Sequence, residues 1–269
     1  IGEGSCGTVW SADDTHYAIK REEGGSEGSL YNGFVMHQKA LKAALVTTPD
    51  SPNYVPVDDP WWNDHLERFP NGHRPCNALI SERIPHFPRE VRDRIIDRYS
   101  PESIRASSKE AVANRDCLIR PYLGCRRQHK PDSESQAFSL RNYPLHADQM
   151  EELGLDTTLY AKKLAEGLAE LYWKVRLDAD DVEFVLAPPR KTDDEFQTVL
   201  KSETLGDHSI WILDFDRCKS ITLDGYGVTQ AVIAFVNNDP YFPQPGSDNE
   251  KDEALWKTFK DHFLEASQA

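Results

Sequence analysis

A lysine behind a run of glycines is the first feature of this sequence able to do chemistry. Residues 1–10 read Ile-Gly-Glu-Gly-Ser-Cys-Gly-Thr-Val-Trp, so Gly2, Gly4 and Gly7 fall in a glycine-x-glycine-x-x-glycine spacing with Val9 just beyond, and Lys20 closes the run Tyr17-Ala18-Ile19-Lys20. Lacking a Cβ, such glycines let a backbone turn come close to phosphate oxygens. A lysine on the neighbouring strand then neutralises the inner phosphates, and an aliphatic side chain such as that of Val9 covers the adenine ring. The ligand this chemistry fits is ATP. Acids follow much later: Asp178, Asp180, Asp181 and Glu183 share one loop, and Asp214 ends the apolar run Trp211-Ile212-Leu213. An acid-bearing loop followed by a strand ending in aspartate gathers carboxylates around a phosphate being transferred.

The elements that must hold these groups follow from periodicity. The same glycine spacing serves dinucleotide sites, but there it opens a helix. Here Thr8, Val9 and Trp10 favour a strand, Asp13 and Asp14 mark a turn, and residues 16–20 resume an extended apolar run, which predicts a hairpin. Residues 29–45 place Leu30, Phe34, Val35, Ala40, Leu41 and Ala44 at helical spacing. This helix carries no acid between Leu30 and Leu45, while Glu22, Glu23 and Glu27 stand just before it. Residues 77–84 read as an apolar strand turning polar ahead of Pro85 and Pro88. Residues 85–157 form a charged insertion, with a helix near 89–98 and strand-like runs at 117–123 and 138–145. The polar stretch 125–135 between those runs predicts a second hairpin. Arg83, Arg89, Arg92, Arg94, Arg98, Arg120, Arg126 and Arg127 concentrate basic charge here, either for an anionic small molecule or as a solvated face. Residues 158–269 begin with an amphipathic helix over 158–175, carry the acid loop and a short strand at 184–186, and end in helices over 225–236 and 250–266 on either side of a proline-rich crossing.

Bulk properties narrow the class of partner. With 269 residues, 39% apolar and 28% charged, the chain has the composition of a globular protein, and no apolar run approaches a membrane span. Its 31 basic and 45 acidic residues leave a net charge of −14, which repels nucleic acid and acidic lipid. Five scattered cysteines suit reduced thiols and a cytoplasmic location. Cys117, Cys125 and His129 lie near one another in sequence but match no zinc-site spacing. Because Ile1 already sits inside the glycine motif, the natural chain is expected to begin earlier. Nothing in the sequence specifies an oligomeric state.

With its glycine loop, lysine and ordered acids, the chain resembles the protein-kinase-like superfamily, in the style of its aminoglycoside and choline phosphotransferase branch. More narrowly, Val182-Glu183-Phe184-Val185-Leu186 and Asn238-Asp239-Pro240-Tyr241-Phe242-Pro243 resemble a family of filamentous-fungal proteins of unassigned function, often mislabelled as zinc-finger proteins. The resemblance implies an α+β, bilobal protein-kinase-like fold. Residues 1–84 would be an N-lobe with an antiparallel sheet, glycine loop and hinge, 85–157 an insertion after the hinge, and 158–269 a mainly helical C-lobe. It implies that main-chain atoms of Glu82 and Ile84 meet the adenine edge, that Asp178 orients or deprotonates an acceptor hydroxyl, and that Glu183 and Asp214 bind magnesium. The sequence departs from the pattern at several places. Arg176 and Leu177 stand where a histidine and an arginine precede the loop aspartate, Glu183 replaces an asparagine, and Asp216 replaces a glycine. No peptide-docking segment follows Asp214, which favours a small-molecule acceptor over a protein. The expected function is ATP- and magnesium-dependent phosphotransfer to a small molecule, in fungal secondary metabolism. The alternatives are a pseudokinase that binds nucleotide or regulates a partner, and a kinase-fold enzyme turned to other chemistry.

Overall fold

The computed structural model describes residues 1–4, 7–13, 15–22, 28–43, 47–127, 138–191 and 197–268. The strand-forming residues around the glycines prevail. β1 (Gly2–Gly4) and β2 (Gly7–Trp10) pair antiparallel with Gly4 opposite Gly7, and β2 pairs β3 (Tyr17–Glu22) with Val9 opposite Lys20. The glycine run thus opens a hairpin and not the helix that a dinucleotide site needs. After α1 (Ser29–Ala43), β4 (Asn53–Val55) and β5 (Ala78–Glu82) complete a wholly antiparallel sheet in the order β1-β2-β3-β5-β4. Helix α1 packs against β4 and β5. A short helix α2 (Trp61–His65) contributes Trp62 to a small separate core with Val55, Phe69 and Ala78. Arg21 is buried against that core, its guanidinium 4.6 Å from the Phe69 ring and 5.0 Å from the Trp62 ring, while it donates to the Arg74 carbonyl at 2.7 Å. The aliphatic stem and flat head of arginine suit such stacking.

The rest of the chain builds a second five-stranded sheet with helices on it. In chain order the elements are α3 (Arg89–Tyr99), α4 (Arg105–Glu110), β6 (Ile119–Tyr122), β7 (Tyr143–His146), α5 (Ala147–Glu152), α6 (Thr157–Glu170), β8 (Glu183–Ala187), β9 (Leu200–Ser202), β10 (Gly206–Leu213), α7 (Gly225–Asn237) and α8 (Glu250–Ala266). The sheet order is β7-β6-β8-β10-β9. The α+β class read from the sequence is present, and residues 158–269 hold more helix than strand, as expected of that segment. Strands of the 85–157 segment join strands of the 158–269 segment in this one sheet.

One expectation is corrected here. The runs at 117–123 and 138–145 do pair, but in parallel, with Ile119 opposite Tyr143. A tight turn can produce only an antiparallel pair, whereas the connection from Leu123 to Asn142 is long enough to bring the chain back to the same end. Part of that connection, including the central part of the expected turn region and His129, lies outside the described residues.

Apolar side chains from both segments meet in one core that includes Phe87, Ile95, Leu145, Leu164, Phe184 and Phe242. Helix α8 lies along α6, with Phe259 buried beneath it. Each helix has a polar cap: Asp156 accepts from the Leu159 amide at 3.1 Å and Asn249 from the Lys251 amide at 2.9 Å. After α6 the chain widens into a π turn, Leu171–Val175, and stops at Arg176, whose φ is 61°. Among the described residues no helix is long and apolar enough to cross a membrane.

Candidate functional site

The two sheets face each other across a cleft of about 480 Å³, a size ordinary for small-ligand sites, which span roughly 300–1,000 Å³. Gly2, Gly7 and Val9 of the hairpin form its roof, and Lys20 reaches in from β3. Glu82 and Ile84 line the edge where the smaller sheet hands over to the second half, and Glu183 and Asp214 line the opposite wall. Gly4 stands at the hairpin end, opposite Gly7. Nine of the ten residues read from the sequence as binding or catalytic, all but Asp178, are thus gathered on or beside the cleft.

Lys20 is the centre of charge. Its Nζ donates to both carboxylate oxygens of Asp214, at 2.7 and 2.9 Å, and to Oδ2 of Asp216 at 2.7 Å. Burial alone would pull the lysine pKa down, but the two carboxylates outweigh it and hold the ammonium form well above its ordinary range. Asp216 is itself almost fully buried, and burial together with the neighbouring Asp214 charge pushes its carboxyl up to about 6 against the pull of Lys20. Two carboxylates share one cation, so this corner of the cleft keeps an excess negative charge.

Glu183 begins β8 and accepts a short bond from Arg120 of β6. Burial pushes its carboxyl up to about 7, although the guanidinium opposes that shift. Arg120 also donates to Asp239 at 3.1 Å, and the Tyr122 hydroxyl donates to the same carboxylate oxygen at 2.7 Å. At the other end of the cleft Glu82 accepts from Arg190 at 2.8 Å and from the Asp50 amide at 2.8 Å, while its own amide donates to the Asp50 carbonyl at 2.9 Å. Its main-chain amide is therefore committed.

Asp178 sits elsewhere. The residue is 2% exposed, and its carboxylate accepts from the Lys219 amide at 2.8 Å, from Gln230 Nε2 at 2.8 Å and from the Asp180 amide at 3.2 Å. It ties the acid loop to the segment after Asp214 and is not among the residues lining the cleft. The loop acid that does line it is Asp181. Burial and the carboxylates of Asp214, Asp180 and Asp239 raise the Asp181 pKa, while Arg217 lowers it. Ala179, Asp181 and Asp214 all have φ near 60°. Non-glycine residues held in that region carry strain, and such strain gathers at functional sites. Sequence spacing alone could not choose between Asp178 and Asp181, because each left-handed residue turns the side chains that follow it.

The remaining candidates resolve simply. Glu22 accepts from Asn77 Nδ2 at 2.7 Å and does not reach Lys20, while Glu23 and Glu27 lie outside the described residues. The arginines of the insertion largely meet acids of the same chain: Arg83 with Asp116, Arg89 with Glu110, Arg126 with Glu151 and Asp252, Arg127 with Asp148 and Glu152. Their basic charge is thus compensated internally rather than held out for an anion. Among the described residues no three His, Cys, Asp or Glu side chains are grouped so as to hold a metal ion. Both oxygens of Asp214 accept from Lys20, and Glu183 accepts from Arg120. The arrangement does not fit a resident magnesium.

Comparison with known proteins corrects the family resemblance. A family model described as "Zinc finger protein" matches residues 210–269, and no kinase family model matches the chain. No curated protein and no solved structure matches it either. The protein-kinase-like assignment, with its phosphotransferase branch and near-complete coverage, is therefore withdrawn. The matched segment holds Asp214, Asp216 and the run Asn238 to Pro243, but neither the glycine hairpin with Lys20 nor the run Val182 to Leu186.

Proposed function

We propose that this chain binds ATP in the cleft and transfers its terminal phosphoryl group to the hydroxyl of a small molecule. The finer architecture we infer is bilobal, with the smaller sheet and α1 as one lobe, the larger sheet with its helices as the other, and 85–157 as elaboration of the second. The observation that carries the reading is Lys20, ion-paired across the cleft to Asp214 beneath a glycine hairpin. The hairpin backbone and Lys20 would hold the phosphates, the Glu82 carbonyl and Ile84 main chain the adenine edge, and Val9 its face. Phosphates arriving at Lys20 compete with Asp214 for the same ammonium. In the transfer itself the acceptor O–H proton passes to Asp181, the acceptor oxygen forms the new O–P bond, and the bond from the terminal phosphorus to its bridging oxygen breaks to release ADP. Asp214 and Glu183 line the cleft, paired with Lys20 and Arg120, and no step here runs through a metal.

A second reading, nucleotide binding without turnover, is favoured by one observation: Asp178 is buried and saturated by amide donors. One experiment addresses both. Thermal unfolding with ATP, with and without magnesium, should show stabilisation of about 3 kcal/mol at a hundredfold excess over Kd, abolished in Lys20→Ala. No shift under either condition removes both readings. A shift, followed by turnover with a screened acceptor that Asp181→Asn abolishes, supports transfer; a shift without turnover supports binding alone.

A further inference from the structure

Helix α1, whose Gly33 lines the same cleft as Lys20, has no carboxylate to offer. Where α1 meets Asp216 its residue is Gly33, and a Cβ built there would lie 2.0 Å from Asp216 Oδ1 and 3.2 Å from the Asp216 Cα. The space a side chain of α1 would fill is occupied by the Asp216 carboxylate, which has come from the far side of the cleft. The backbone around that carboxylate is fastened to the same helix. Asn32 Nδ2 donates to the carbonyls of Asp216 and Cys218, at 2.9 Å each, and His37 packs on the Phe215 ring with centroids 5.3 Å apart. Lys20 is therefore held from one side by Asp214, which is partly exposed in the cleft, and from the other by Asp216, whose side chain is 5% exposed.

We infer that Asp216 is the positioning residue of Lys20, doing from the segment after β10 what a carboxylate on α1 would do, and that Gly33 is glycine because Asp216 occupies its side-chain space. Asp214 faces the ligand and is the partner that Lys20 can exchange for phosphate. Asp216 is sealed behind it and keeps the ammonium aimed while that exchange takes place. The acid-free α1 and the aspartate two residues beyond Asp214 are complementary: the helix leaves the space that the carboxylate fills. The ligand-dependent part of this inference rests on the ATP reading above; the placement of Lys20 does not.

The test separates them. Affinities for ATP and for adenosine are measured by calorimetry on the wild type and Asp216→Ala. A misaimed lysine weakens ATP about tenfold and leaves adenosine unchanged, since only ATP carries the groups that a charge-assisted bond from Lys20 would hold. Equal weakening of both ligands means that Asp216 is merely structural and overturns the inference. Relocation is the stricter arm: Gly33→Glu combined with Asp216→Gly returns a carboxylate to the same space from the helix. ATP affinity should recover to within about threefold of wild type, which neither single change achieves. A double variant no better than Asp216→Gly alone overturns the inference. If the wild type binds neither ligand, the ATP reading fails and a stability cycle decides the placement. Asp216→Asn should lower Tm in the wild type and leave it unchanged or raise it in a Lys20→Met background, because removing one partner of a buried ion pair leaves the other charge uncompensated. Equal Tm losses in both backgrounds overturn the placement as well.

Discussion

Glu170, in the last turn of α6, is half-buried without a hydrogen-bond partner among the described residues, and burial pushes its carboxyl from 4.5 up to about 7. Lys174 and Lys163 oppose the shift and Glu166 adds to it. The folded chain therefore keeps a proton that the unfolded chain releases. Through this group, stability is greatest below pH 4.5, falls as pH rises, and is lost above about pH 7. Glu170→Gln should flatten that part of the profile and raise the urea midpoint at pH 8 relative to wild type, with little change at pH 4.5. An unchanged difference between the two pH values would show that Glu170 ionises normally. Side chains also mark where sequence reading reaches its limit. Lys20 and its glycines are legible because a hairpin has a local signature. The Lys20–Asp216 pair joins positions 196 apart and was visible only as two separate anomalies, an aspartate in a glycine's place and a helix without acids.

Strands and helices were legible where a long apolar period repeats. Helix α8 has the bounds its periodicity gives, α6 and α7 differ from theirs only at the ends, and α1 follows its expected span through Ala43, residues 44 and 45 lying outside the described residues. The three-residue strands β4 and β9 carry too few residues for any period, and the direction of β7 against β6 depends on a connection whose own residues say nothing about it. The turn beyond β6 makes a separate long-range contact that can be checked directly. There the amides of Leu123 and Gly124 donate to the carbonyls of Tyr241 and Pro240, at 3.3 and 2.9 Å, drawing the turn onto the proline-rich crossing. A Cβ at Gly124 would lie 2.3 Å from the Phe242 carbonyl oxygen, a backbone atom with no room to yield. Gly124→Ala should cost about 1–3 kcal/mol, measured by chemical denaturation. A neutral result would mean the crossing does not sit against this turn.

The halves of the molecule are clasped at several points around the cleft. Lys20 holds Asp214, Arg190 holds Glu82, Asn32 holds the Asp216 and Cys218 carbonyls, and the Ile212 amide donates to the Thr47 carbonyl at 2.8 Å. Unfolding should consequently be one transition, with far-ultraviolet ellipticity and tryptophan fluorescence giving coincident urea midpoints. Trp10, Trp61 and Trp62 report the smaller half and Trp173, Trp211 and Trp256 the larger, so separated midpoints would show that the clasps are too weak to couple them.

The layout of the larger sheet also sets an order of assembly as the chain leaves the ribosome. The smaller sheet has all its strands once Glu82 has emerged, but the larger one waits for β10, which lies between β8 and β9. At roughly 5–20 residues per second, the interval between Glu82 and Leu213 lasts on the order of ten seconds. During it the glycine hairpin and Lys20 are already made while Asp214 and Asp216 do not yet exist. Until the chain reaches Asp214 and Asp216 the Lys20 ammonium lacks both of its carboxylate partners, and their arrival adds one of the clasps between the halves.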